Sequence, residues 1–280
     1  MTYLKINPLF ILALILFSFC GLFTEALVAF SFVLLHELIH VFTANYLGYK
    51  LKKLELFPFG GMVEFDKLLE MEPVNEIKIA ISGPIFNIFL AAVFFIFFKN
   101  NEFMGILIKY NLIIGLFNLL PVLPLDGGRI LRGFLVKVYG LAEGGKLAFR
   151  VAKFFSILGI IIGIYCIFVL NSNLMILLVS FFVYLAIIKE RERLFYNILN
   201  YMTNRRKYLK RLETSPVSLR VINYDHYLRD LPGLLIPGKF NVFYVLNKNL
   251  ELKTVLTEIK IIDRYLSDTD KNLRIKDIIF

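Results

Sequence analysis

Long apolar runs separated by short polar segments make up most of the 280-residue chain before residue 190. A helix of about 20 apolar residues is long enough to cross a bilayer. Runs of about this kind extend over residues 8–23, 26–47, 77–98, 104–120, 154–170 and 174–188. Beyond residue 214, shorter β-branched and aromatic segments alternate with turns. The pattern predicts a mainly α-helical, polytopic membrane protein with about six transmembrane helices and a small C-terminal α/β domain.

The boundaries between these regions follow from changes in composition. We expect a membrane domain over 1–188, a basic helical linker over 189–214 and a cytoplasmic domain over 215–280. The basic amphipathic stretch 129–153 predicts a helix and loop on the membrane surface. In the C-terminal domain, VSLRVIN and FNVFYVLN are typical of strands, LKTVLTEIKIIDRYL of a helix, and NLRIKDIIF of a further extended segment.

A short segment after the second apolar run has a different character. LELFPFGGMVEF contains Pro58, Gly60 and Gly61, and it is too short to cross a membrane as a helix. Its aromatic and β-branched residues favour a short membrane-associated β-hairpin, although an ordinary amphipathic loop fits the pattern equally well. Such a strand could pair along its edge with an extended substrate.

Composition changes how the charge is interpreted. The chain is 58% hydrophobic and carries a formal net charge of +10. In a soluble protein that charge would suggest nucleic-acid binding, but here the basic residues are concentrated in 50–78, 129–153 and 189–211. By the positive-inside rule these segments face the cytoplasm. We therefore expect a multi-pass membrane protein with both termini cytoplasmic and with no direct nucleic-acid binding.

Candidate chemistry begins inside the second apolar run, at FVLLHELIHVFT. His36 and His40 are four residues apart and share one helix face, while Glu37 lies between them. This H-E-x-x-H pattern is typical of zinc hydrolases, in which the acid acts on a metal-bound water. A hydrogen-bonded core histidine is the plainer interpretation. Ionisable groups at bilayer depth cost about 2.5–3.5 kcal/mol each, however, and usually mark a functional site.

Two later stretches place further polar groups in apolar surroundings. Asp126 follows Pro121 and Pro124 in NLLPVLPLDGG, where it can be the third ligand of a zinc ion or simply a helix cap. Asn87, in ISGPIFN, can donate to a substrate carbonyl or pair two helices. The sequence alone leaves both alternatives open.

Together HELIH, FPFGG, SGPIFN and NLLPVLPLDGGR resemble the site-2 protease family of intramembrane zinc metalloproteases, over about residues 34–130. The resemblance implies one Zn²⁺ per chain, held by His36, His40 and Asp126, with Glu37 as the catalytic general acid and base. It also implies substrate positioning by a further set of residues. These are Asn87, Asn118, Pro124, Phe59 and Gly60.

The C-terminal domain resembles a single cystathionine-β-synthase-type (CBS) repeat. The resemblance lies in Pro216-Val217, in FYVLNKNLEL, in the helix that follows and in RIKDII. It implies a homo-oligomer formed through this domain and an adenine nucleotide bound to it.

A six-span core without an inserted domain, followed by such a repeat, resembles the bacterial sporulation proteases of the family. This implies that the chain removes the pro-sequence of a membrane-associated sigma factor and that membrane partners inhibit it. Another membrane-tethered regulator is the alternative substrate. Two other functions remain as alternatives to proteolysis. A membrane metal transporter or metal sensor would use the same metal ligands without hydrolysis. A non-catalytic scaffold acting through its C-terminal domain would not need the metal ligands.

Overall fold

The computed structural model describes residues 3–6, 19, 21, 23–57, 60–65, 71–98, 102–169, 174–210, 214–267 and 273–277. The chain forms two compact units. The first comprises residues 1–68 and 75–130, and the second comprises 69–74 and 131–280. The domain boundaries expected at residues 188 and 214 stay predictions.

The first unit contains a three-stranded sheet. Strand β1 (Tyr3–Ile6) pairs in parallel with β2 (Leu51–Phe57), and β2 pairs antiparallel with β3 (Gly60–Phe65). The predicted hairpin is thus confirmed, with Phe57 opposite Gly60 at its closed end. Pairing by β1 was not predicted, because nothing in a four-residue segment indicates its partner 45 or more residues away. Membrane association of the hairpin stays a prediction.

Three helices accompany this sheet: α1 (Phe23–Tyr46), α2 (Pro73–Phe98) and α3 (Glu102–Asn118). Helix α1 lies against both α3 and β3. Gly48 terminates α1. It has a left-handed φ of +86°, and the Tyr49 amide donates to the Ala44 carbonyl at 2.9 Å. Helix α2 continues through Pro84.

A 14-residue helix, α4 (Asp126–Tyr139), follows the proline-containing loop. Gly140 separates it from α5 (Leu141–Phe168), and the φ of +93° at Gly140 is unfavourable for other residues. The expected surface helix and loop over 129–153 is therefore wrong in detail. Its second half is the beginning of α5, which also contains the predicted fifth span.

In the second unit, α5 packs along α6 (Met175–Leu209). Small residues allow the close approach. A Cβ atom on Gly163 would lie 2.7 Å from the Leu177 Cα atom, and the Ser156 hydroxyl donates to the Ser180 carbonyl at 3.2 Å. Small residues at such contacts are typical of helix pairs in membranes.

The C-terminal residues form a mixed sheet in the order β4 (Val217–Asn223), β5 (Phe240–Leu246), β6 (Leu252–Thr257). Helix α7 (Glu258–Ser267) follows β6 directly. The prediction of one helix over 252–266 is therefore wrong for its first six residues, which pair with β5. The predicted terminal extended segment contains a 3₁₀ turn, Ile275–Asp277. The α/β character is confirmed, whereas the CBS resemblance stays a prediction.

Part of α6 belongs to the core of this C-terminal region. Tyr201 and Met202 are buried in one apolar cluster with Phe243, Val245 and Ile261. The basic segment expected to be a linker is thus a helical arm whose inner face packs onto the sheet domain.

Among the described residues, three helices are long and apolar enough to cross a membrane: Phe23–Tyr46, Pro73–Phe97 and Leu141–Phe168. Phe103–Asn118 is apolar but shorter. The first predicted span, over residues 8–23, lies almost wholly outside the described residues. The sixth is the beginning of the 35-residue α6, which continues into the charged KERER sequence. The count of six spans stays a prediction.

Candidate metal centre

Helix α1 presents the H-E-x-x-H residues on its inner face. His36 and His40 are each 2% exposed and Glu37 is 9% exposed, whereas Leu34, Leu35 and Leu38 lie on the exposed side. The helical period produces this separation, because residues four apart point in nearly the same direction. The apolar sequence around the motif thus covers the outside of the helix, and its three ionisable groups face inward.

Asp126 meets both histidines, although it is 86 residues or more away in sequence. Its Oδ2 atom lies 2.9 Å from His36 Nε2 and 3.1 Å from His40 Nε2, and the two Nε2 atoms are 3.1 Å apart. Nitrogen lone pairs and a carboxylate oxygen that converge in this way repel one another unless a cation or proton lies between them. Two imidazoles and one carboxylate are also an established ligand set for catalytic zinc. The three residues therefore fit a zinc ion.

The outer nitrogens of both imidazoles are hydrogen-bonded. His36 Nδ1 donates to Asn87 Oδ1 at 2.6 Å, and His40 Nδ1 donates to the Ile79 carbonyl at 2.7 Å. A carbonyl can only accept, so the His40 proton is assigned to Nδ1 and its Nε2 lone pair points at Asp126. Outer contacts of this kind orient metal-binding histidines and fix their tautomer.

Gly83 of α2 leaves the space that the two rings occupy. A Cβ atom at this position would lie 2.6 Å from His40 Cε1 and Nε2 and 2.7 Å from His36 Cε1. The imidazoles therefore pack directly against the backbone of α2. No pattern in the sequence indicates this contact.

The loop from residue 119 to 125 positions Asp126 at the start of α4. Its Leu123–Pro124 peptide bond is cis. The chain folds back very tightly here. A Cβ atom on Gly127 would overlap the Leu119 carbonyl, and a Cβ atom on Gly128 would overlap the Leu123 amide. Only glycine fits at these two positions, which explains Asp-Gly-Gly.

The Asp126 carboxylate is held in its charged form. Burial raises its pKa, but the polar contacts with His36 and His40 and the positive charge of Arg129, 3.8 Å away, lower the pKa by more than burial raises it. The pKa of Asp126 therefore lies well below the ordinary value of 3.8. An ionised carboxylate is the form that binds a metal ion.

The residues predicted to position the substrate differ in what they contact. Asn87 contacts His36, whereas Asn118 Nδ2 donates to the Ile114 carbonyl of its own helix at 3.0 Å. Gly60 is the first residue of β3, and Phe59 lies outside the described residues. Sequence reasoning missed Asn111, which accepts a hydrogen bond from Asn87 at 3.0 Å. Its only sequence signal is an amide within an apolar run.

The chain is similar in sequence to known metalloproteases. A family model described as peptidase family M50 matches residues 24–102 and 99–166. A zinc metalloprotease of Methanocaldococcus jannaschii is 35% identical over 181 residues, which cover 60% of this chain and 51% of the relative. Stage IV sporulation protein FB of Bacillus subtilis is 26% identical over 177 residues, which cover 62% of this chain and 60% of the relative.

A solved structure of a site-2 protease from Methanocaldococcus jannaschii is also similar. It superposes with a TM-score of 0.55 at 30% sequence identity, over 68% of this chain and 90% of that chain. The matched region spans only about half to three fifths of the length of the two curated relatives.

Proposed function

Because the chain belongs to peptidase family M50, the site-2 proteases, we propose that it is a zinc metalloendopeptidase that hydrolyses a peptide bond in or near the membrane. One observation carries the proposal. His36 Nε2, His40 Nε2 and Asp126 Oδ2 converge within about 3 Å of one another in a buried site built by apolar helices.

Each residue of the site has a distinct part in this reaction. The two histidines and Asp126 would hold the zinc ion. When bound, the ion would supply Lewis-acid polarisation of a carbonyl and would lower the pKa of a water molecule. Glu37 is buried next to the ligands and accepts the proton of the attacking water, which it then delivers to the leaving amine.

The sheet of the first unit provides a way to present the substrate. A peptide bond within a helix is hard to attack because its carbonyl is hydrogen-bonded, so a membrane-embedded substrate must first unwind. In the described part of the sheet, β3 is an edge strand, and it lies against the helix that carries Glu37. An extended substrate can add to this edge through backbone hydrogen bonds.

The substitution Glu37→Gln separates proteolysis from metal transport or sensing. It removes the proton acceptor but leaves all three ligands. We expect zinc content to be unchanged and cleavage of a co-expressed, membrane-tethered substrate to be abolished. Undiminished cleavage would refute the assigned role of Glu37. Zinc uptake into vesicles that Glu37→Gln leaves intact, with no cleavage of any tethered substrate, would favour a transporter.

We further propose that the substrate is the pro-sequence of a membrane-associated sporulation sigma factor, with membrane proteins as inhibitors. The similarity to a protein named for stage IV of sporulation supports this. Another membrane-tethered regulator is the alternative substrate. Co-expression with each pro-sigma factor of the same organism tests it, and processing should require Glu37. We also propose a multi-pass topology with cytoplasmic termini, which reporter fusions at the two termini would check.

Self-association through the C-terminal domain is a separate proposal. Val217, Leu219 and Val221 alternate along β4 and are 54–65% exposed, and they pair in register with Phe240, Val242 and Tyr244 of β5. A second copy of the chain can cover this apolar face by two-fold symmetry. Cross-linking in the membrane should give dimers with the wild type and fewer with Leu219→Asp. The comparisons do not support an adenine nucleotide at this domain.

A further inference from the structure

Two buried asparagines connect three helices to one metal-ligand candidate. Asn111 of α3 accepts a hydrogen bond from Asn87 of α2 at 3.0 Å, and Asn87 accepts one from His36 of α1 at 2.6 Å. Both asparagines are 0% exposed. Amides buried so completely among apolar helices are retained only where each polar atom finds a defined partner.

The direction of this chain of hydrogen bonds is fixed at its far end. Asn111 Nδ2 donates to the Leu107 carbonyl at 2.9 Å, and a carbonyl can only accept. The Oδ1 atom of Asn111 therefore faces Asn87 and must accept. Asn87 donates through Nδ2, so its own Oδ1 atom faces His36, and His36 Nδ1 must carry the proton. The Nε2 lone pair of His36 is consequently left for the metal site.

The two histidines differ in this respect. His40 Nδ1 donates to a backbone carbonyl, that of Ile79, which no substitution removes. His36 depends on two side chains instead. Without Asn111 as its acceptor, the Asn87 amide can rotate by 180° and present Nδ2 to His36. Nδ1 would then have to accept, the proton would move to Nε2, and His36 could no longer bind a metal ion.

We propose that Asn111, acting through Asn87, is a positioning residue for the metal site, because it fixes the tautomer and orientation of His36. This inference rests on the proposed zinc-binding function, and it gives Asn87 a different role from the substrate positioning predicted from the sequence. Loss of an outer contact of this kind typically weakens metal binding about 10- to 100-fold.

The test measures zinc affinity of the purified full chain by competition with a chromophoric chelator, which requires no substrate. Asn111→Leu should weaken zinc binding roughly 10- to 100-fold. Asn111→Asp keeps an acceptor for Asn87 and should bind zinc nearly as the wild type does. Asn87→Leu should resemble Asn111→Leu, and the double variant should be no worse than either, because the two amides act as one unit.

Asn118→Leu is the matched control. Asn118 lies on the same helix and makes the same kind of bond, to the carbonyl four residues earlier. The control is read in zinc affinity, which the substrate positioning predicted for Asn118 does not involve. Equal losses of affinity in Asn111→Leu and Asn118→Leu, or in Asn111→Leu and Asn111→Asp, would overturn the proposal. If Asn111→Leu does not fold, the zinc affinities of Asn87→Leu and Asn118→Leu are compared instead, and equal affinities would overturn the proposal. Affinity losses that follow this pattern in a chain that cleaves nothing would uphold the positioning role and reject the protease function.

Discussion

Replacing Gly83 by alanine tests whether the two histidines are held in place by the backbone of α2. The added Cβ atom would lie 2.6 Å from His40 Cε1 and Nε2, which is about 0.8 Å closer than the 3.4 Å at which ordinary van der Waals contact begins. The two imidazole rings cannot easily move away from the added Cβ atom. His40 is bonded to the Ile79 carbonyl and His36 to Asn87 through their outer nitrogens.

We expect this small change to disrupt metal binding. Metal-ligand distances must be correct to about 0.2 Å, so a displacement of almost 1 Å breaks the coordination of both imidazoles. A misplacement of this size also costs about 10²-fold in activity. Helix propensity alone predicts that the substitution stabilises α2, since alanine is favoured over glycine within a helix by about 1 kcal/mol. The steric effect should prevail in zinc binding, although the fold itself persists.

Zinc affinity, cleavage of a tethered substrate and the thermal midpoint should all be measured on Gly83→Ala. Gly105→Ala is the control, because Gly105 is also helical and a Cβ atom there meets nothing within 4 Å. The control should bind zinc normally. Wild-type zinc affinity in Gly83→Ala would refute the argument that the imidazoles rest on the α2 backbone.

Two further substitutions test the second unit. Arg205→Leu would leave the buried Glu258 without its ion-pair partner, because the two side chains are 2.9 Å apart and both 0% exposed. We expect a loss of about 3–5 kcal/mol in stability, visible as faster proteolysis of the C-terminal domain. A milder effect, similar to that of breaking an exposed ion pair, would contradict this. Gly163→Val would force α5 away from the Leu177 backbone and lower the thermal midpoint. An unchanged midpoint would show that this close contact does not stabilise the helix pair.

The sequence predicted the features that depend on local periodicity and on turn residues. The four-residue spacing of His36 and His40 places both on one helix face whatever surrounds them. Pro58 with two glycines indicates a hairpin, because these residues restrict or free the backbone locally. The sequence also selected Asp126, although only through the resemblance of its motif to a known family.

Tertiary structure decided what depends on partners distant in sequence. Residues 252–257 have both helical and extended character, and they form a strand because β5 offers them hydrogen bonds. Residues 3–6 become a strand for the same reason, beside β2.

The contacts of the metal centre likewise became visible only in the folded chain. Gly83 fits against His40 because two helices approach closely, and Asn111 reaches His36 only through Asn87. In the sequence these residues are a glycine and two amides in apolar runs. Their importance arises from distances between helices, which no pattern along one helix encodes.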